Sequence, residues 1–257
     1  MSVGWGQDCI DGVEVELWGE CYNIETTTEL DLSGSGISGN IPTIIGDLIN
    51  LTYLDLSNNQ LSGSIPSHIG SYLINLTYLD LSNNMLSGPI TSHFQNLINL
   101  VVFDVSYNNL SEHIRPQMGY MTNLIYLRLG FNQFSGGIPS EIGNLTNLTI
   151  LDLNNNQLTG DIPESICFLF ENNCFVSLFG NNFCPPYLEC IGDNIGYQDT
   201  SECEEPSLCD EEIEVELWGE CYNIDETTSI ILPNSGLTGD IPPEIGNLTN
   251  LRWDFSR

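Results

Sequence analysis

Lysine is missing from this 257-residue chain, and four arginines stand against 35 acidic residues, for a net charge of −31. A surface so acidic repels phosphate backbones and anionic lipid headgroups, which excludes nucleic acid and charged membranes as partners. No apolar run approaches the roughly 18 residues of a membrane span, and the opening "MSVGWGQDCIDG" has neither the basic nor the apolar region of a secretion signal. The chain is therefore either cytosolic or has its targeting segment outside this sequence. Cysteine is absent between Cys21 and Cys167, and no two cysteines have the C-x2-C spacing of a zinc site. The nine cysteines gather instead at segment ends, at Cys9 and Cys21 and then from Cys167 to Cys221. That distribution suits disulfide staples in an oxidising compartment, so an extracellular or cell-surface location is expected.

What is present is a period. From residue 27 the chain runs through "TTELDLSGSGISGNIPTIIGDLIN", "LTYLDLSNNQLSGSIPSHIGSYLIN", "LTYLDLSNNMLSGPITSHFQNLIN" and three further copies, all 24 residues long except the second, which has 25. Within each copy "xLDLS" alternates apolar and polar residues, as a short strand with one buried face must. Such a strand is unstable alone. Stacking places Leu54, Leu56, Leu61 and Ile65 against Leu79, Leu81, Leu86 and Ile90 and builds one continuous core. Asn59, Asn84, Asn108, Asn132 and Asn156 fall where the chain leaves each strand, so their amides can satisfy turn backbone groups that would otherwise be buried unpaired. Glycines such as Gly63 and Gly136, with Pro66, Pro139 and Pro163, mark a second bend.

These copies, with their trailing "LSGxIPxxIGxLxN", resemble the leucine-rich repeat in its plant-type subclass, found in receptor-like ectodomains, polygalacturonase inhibitors and bacterial surface proteins. The resemblance implies an α/β-type repeat solenoid: a right-handed superhelix with a parallel concave sheet, an irregular or 3-10 convex side, and disulfide-stapled caps.

Five segments follow. Residues 1–26 form an N-terminal cap, with Trp18 and Tyr22 as apolar cover, and 27–173 hold six repeats. Residues 174–208 hold a partial repeat, a C-terminal cap and an acidic linker that begins at "IGDNIGYQDT" and is pinned by Cys203. Residues 209–226 repeat the N-terminal cap, since "EVELWGECYNI" occurs unchanged at Glu14 and at Glu214, and 227–257 begin a second array. The shared spacing predicts Cys9–Cys21 and Cys209–Cys221 bridges. Of Cys167, Cys174, Cys184, Cys190 and Cys203 one is left over, and Cys174, at a strand position of the partial repeat, is assigned as the free thiol. "LRWDFSR" ends the sequence with no cap after it, which suggests a piece of a longer protein and a route to self-association.

Outward strand positions form columns. One reads Asp31, Asp55, Asp80, Asp104, Arg128, Asp152; beside it run Glu29, Tyr53, Tyr78, Val102, Tyr126, Ile150 and Ser33, Ser57, Ser82, Ser106, Gly130, Asn154. Carboxylates, rings and hydroxyls in rows suit a protein or glycan ligand, although "LDLS" is also ordinary repeat consensus. Arg128, among Tyr107, Tyr126 and Phe131, has the composition of an interface anchor; it also relieves repulsion between Asp104 and Asp152. The candidate ligand-binding residues are therefore Tyr53, Asp55, Tyr78, Asp80, Asp104, Tyr107, Tyr126, Arg128, Phe131 and Asp152.

A flat carboxylate row without a D-x-D-x-D-G loop offers too few oxygens for calcium. His68, His93 and His113 lie in the other half of their repeats, away from the aspartates, and an open face does not raise a carboxyl pKa by burial. Neither a catalytic site, a metal nor a cofactor is expected. The sequence supports a non-catalytic recognition or adhesion module first, a structural or self-assembling surface protein second, and ice binding third. The N-x-S/T acceptors Asn50, Asn75, Asn109, Asn144, Asn147 and Asn247 arise mostly from the repeat itself, and their glycosylation depends on the host.

Overall fold

A computed structural model of the chain describes residues 9–203, 209–210, 212–218, 220–231 and 240–252. Residues 204–208, residues 232–239 of the second array and the terminal 253–257 lie outside these, so the expected sticky end does too. The chain divides into two compact units, Met1–Glu202 and Cys203–Arg257.

In the first unit each "YLD" or its equivalent forms a three-residue strand. Glu29–Asp31, Tyr53–Asp55, Tyr78–Asp80, Val102–Asp104, Tyr126–Arg128, Ile150–Asp152 and Phe175–Ser177 make one seven-stranded sheet. Neighbours are parallel and in register, Leu54 opposite Leu79 and Leu79 opposite Phe103. The middle residue of each strand points inward and is buried; Leu54, Leu79, Phe103, Leu127 and Leu151 are wholly inaccessible. Stacked equivalents thus replace water with one another, at roughly 1.5–3 kcal/mol per large apolar side chain.

The bend expected at the second half of each repeat contains a second parallel sheet of six strands, from Ser38–Asn40 through Gln60–Gly63 to Gln157–Leu158. Its signal in sequence is weak, because only Leu61, Leu86, Leu110, Phe134 and Leu158 are buried while the rest are mostly polar residues and glycine. The far side carries five-residue 3-10 turns such as Thr43–Asp47 and Ser140–Asn144, and two short α-helices, α1 at Ser67–Tyr72 and α2 at Ser165–Glu171. These turns stack so closely that a Cβ at Gly70 would sit 2.7 Å from the backbone of His93 and Phe94.

The asparagine ladder does the predicted work. Asn132 Nδ2 donates to the carbonyls of Val105, Leu129 and Gly130 at 2.9, 3.2 and 3.3 Å, and its Oδ1 accepts the Leu110 amide at 2.9 Å. Asn59, Asn84, Asn108, Asn156 and Asn181 repeat the pattern. A parallel file at the opposite bend, Asn50, Asn75, Asn99, Asn123 and Asn147, donates Nδ2 to a carbonyl of the preceding repeat, or for Asn50 of the cap, at 2.8–3.0 Å.

The stretch read as a linker from Ile191 is corrected here. Ile191 is wholly buried, and Gln198 accepts the Phe183 amide while donating to the carbonyls of Leu178 and Ile195. Gln198 therefore closes the asparagine ladder, and residues 191–199 belong to the cap. Cys167 pairs with Cys190, Cys184 and Cys203 are disulfide-bonded, and Cys174 is free and buried, its thiol pushed up to about 11 by burial.

At the N-terminal end a hairpin of Glu14–Leu17 and Glu20–Asn23, closed by Cys9–Cys21, inserts Val15 and Leu17 into the core. The second unit reproduces it: Glu214–Leu217 pairs with Glu220–Asn223 in the same register, Cys209 bridges Cys221, and Val215 and Leu217 pack with Leu248. In both copies the first glutamate accepts the amide of the residue four before it, Ile10 or Asp210, and Asn23 or Asn223 accepts the two amides that begin the next turn.

Candidate functional site

Because the middle residue of each first-sheet strand points inward, its two neighbours face out. The aspartate column is partly consumed by the strand end. In Asp31, Asp55, Asp80, Asp104 and Asp152 the Oδ1 atom accepts the backbone N–H two residues on, at 2.9–3.1 Å. This turn ends each strand, so one oxygen per carboxylate is structural. Asp55 and Asp104 are only 8% and 6% exposed. Contrary to the expectation for an open face, burial pushes the Asp80 and Asp152 carboxyls up, and repulsion from Asp104 adds to it; the Ser33 hydroxyl holds Asp31 below the usual carboxylate range.

The remaining candidates fall into two groups. Tyr53 and Tyr78 stack with ring centroids 4.4 Å apart, and their hydroxyls donate to Asp55 and Asp80 Oδ2, each at 3.3 Å. Burial and the adjacent carboxylates push the Tyr78 hydroxyl far up. Every polar tip in this group already has a partner.

The second group is built differently. The Arg128 guanidinium lies 3.4 Å from Asp104 Oδ2 and 5.3 Å from the centre of the Tyr126 ring. Alongside, Tyr107 and Phe131 stack at 4.1 Å yet stay 50% and 38% exposed. Both have left-handed backbones, φ 55° and 54°. The equivalent positions in other repeats, Asn58, Asn83 and Asn155, share that conformation at φ 57°, 54° and 49°. Asparagine tolerates it through local hydrogen bonding, whereas for a bulky ring it is strained.

The face continues past the residues expected. Phe175 pairs in register with Ile150 and is 66% exposed, Phe179 is 43% exposed, and Tyr197, whose carbonyl accepts the Gly180 amide, is 76% exposed. Aligning "FVSLFG" with "ILDLNN" places Phe175 below Ile150 and Phe179 below Asn154; columns drawn over the six full repeats stop one strand short of these rings in the partial repeat. The histidines are elsewhere: His68 in α1, His93 in the 3-10 turn Ser92–Asn96 and His113 in the second sheet. No helix among the described residues is long and apolar enough to cross a membrane.

Comparison with known proteins agrees with the architecture. The family described as Leucine Rich repeats (2 copies) matches residues 49–91 and 122–166, and Leucine Rich Repeat matches 26–48. No curated protein matches the chain. Among solved structures, the plant peptide hormone receptor RGFR1 in complex with RGF2 is 40% identical over 62% of this chain, with a TM-score of 0.60. The match spans only 25% of that receptor's chain. Pollen Receptor Kinase 3 is 31% identical over 69% of this chain and 83% of its own, TM-score 0.57. A plant ice-binding protein is 30% identical over 67% of this chain and 54% of its own, TM-score 0.52. With the strand register, the asparagine ladder and these matches together, the chain belongs to the leucine-rich repeat family, in its plant-type subclass.

Proposed function

We propose that this chain is a non-catalytic, extracellular or cell-surface recognition module that binds a protein or glycan partner on the outer face of its first sheet. The contact centres on Arg128, Tyr107 and Phe131. One observation carries this reading: two exposed aromatic rings occupy left-handed positions that the other repeats give to asparagine or glycine. Strain of about 1–3 kcal/mol per residue is retained in folds chiefly where the residue acts. Half-exposed aromatics beside an arginine form the usual composition of an interface anchor. The ion pair with Asp104 is compatible with that role, since it fixes the guanidinium while leaving it partly open. The likeness to a receptor solved with RGF2 bound supports a protein partner, and the disulfides support an oxidising location.

Arrays of secreted proteins and of glycans, probed with the wild type and with an R128A/F131A variant of unchanged fold, test the proposal. The expected result is a set of ligands retained by the wild type and lost by the variant; identical profiles for the two overturn it. Ice binding is the second reading, favoured by the likeness to a plant ice-binding protein. Against it, Ser57, Ser82 and Ser106 are buried, and Tyr107 and Phe131 interrupt any flat row. Thermal hysteresis at micromolar protein would decide for it.

A further inference from the structure

A cavity of about 340 Å³ lies between the last strand of the second sheet and the C-terminal cap, apart from the first-sheet face. Ile162, Pro163, Pro186 and Leu188 are the apolar part of a mixed lining that also includes Cys184. Tyr187 lines it too, its hydroxyl donating a 3.0 Å hydrogen bond to the Phe183 carbonyl. The same lining includes two exposed acidic residues, Asp161 and Glu164, neither of which has an ion-pair partner among the described residues. The sequence gives them no basic neighbour, since its four cations are Arg115, Arg128, Arg252 and Arg257.

The volume falls at the lower end of the range for ligand sites, about 300–1,000 Å³. A lining that combines a tyrosine ring, apolar groups and two acidic residues matches one side chain in all three respects. A guanidinium is planar, stacks on a ring, presents five donors to carboxylate oxygens, and trails a methylene stem that prefers apolar surroundings. A lysine ammonium matches the charge but neither the stacking nor the fork of donors. A neutral ligand would leave the two carboxylates unused.

We propose that this cavity receives an arginine side chain of a partner protein, at a site separate from the first-sheet face. The full chain is titrated with N-acetyl-arginine amide, N-acetyl-lysine amide and N-acetyl-citrulline amide, followed by NMR at Tyr187 and Leu188. Saturable shifts are expected for the arginine probe, with affinity at least roughly tenfold above lysine. Citrulline, of the same shape without the charge, should give none. A D161N/E164Q variant should weaken the arginine probe by roughly tenfold or more, whereas R128A/F131A should leave it unchanged. A citrulline or lysine titration equal to arginine, an unaffected D161N/E164Q variant, or no saturable shift would overturn the assignment. Loss through R128A/F131A instead would place the probe on the first-sheet face and overturn it as well.

Discussion

Two stacked ring pairs sit on the same sheet face and behave as opposites. Tyr53 and Tyr78 stand on extended strands, with hydroxyls bonded to the aspartates beside them. Tyr107 and Phe131 stand just past their strands on left-handed backbone, half open to solvent, on the face that also carries Arg128. The first pair satisfies itself; the second is held in a conformation that its own chemistry disfavours. Recognition should therefore concentrate in the second, and the contrast can be broken experimentally in four ways.

The largest effect is expected from R128A/F131A, which should weaken a partner found on the arrays by roughly hundredfold or more in biolayer interferometry, because anchors of this type cost about 2 kcal/mol or more each. Next, Y53A/Y78A should lower the urea-unfolding free energy by about 1–3 kcal/mol, through lost stacking and burial, while leaving that affinity within about threefold. Equal binding losses for both variants would erase the distinction between the pairs. Third, Y107N/F131N restores the residue used elsewhere in the column. It relieves about 1–2 kcal/mol of backbone strain per residue and forfeits about 0.5–1.5 kcal/mol of stacking. Stability should thus hold or rise slightly while binding is lost; a marked destabilisation would show that the pair is structural.

The smallest effect concerns protonation. Burial raises the Asp80 carboxyl in the fold, so the folded state holds that proton more tightly than the unfolded chain. This contribution is fully present below the unfolded carboxylate value and is lost as pH rises through the raised folded value. Between pH 7 and pH 4, the stability gained on acidification should be smaller in D80N than in the wild type, as read by thermal melts at each pH. Equal pH dependence in the two would remove Asp80 from the account.

Much of the fold can be read before any coordinates, because stacking turns one local rule into a global one. Leu54 needs Leu79 behind it, and the period supplies Leu79. The second sheet escapes the same reading, since a strand such as Gln60–Gly63 buries one leucine among glutamine, serine and glycine, so alternation has nothing to act on. Residues 191–199 are misread for a related reason. Hydropathy registers polar side chains but not that Gln198 donates inward to two carbonyls. On the site, side-chain columns locate Arg128 and both ring pairs. Backbone handedness, which separates the strained pair from the satisfied one, has no sequence signal once asparagine is replaced by tyrosine or phenylalanine.

The second repeat carries one residue more than its neighbours, and its outer turn is the α-helix α1 where the repeats on either side of it have a 3-10 turn. Tyr53 nevertheless remains opposite Tyr78, and Tyr78 opposite Val102. Length variation is thus absorbed on one flank while the other keeps its frame. For protein engineering, α1 is accordingly the natural graft point: a loop inserted there would add a new surface and leave every first-sheet side chain in its row.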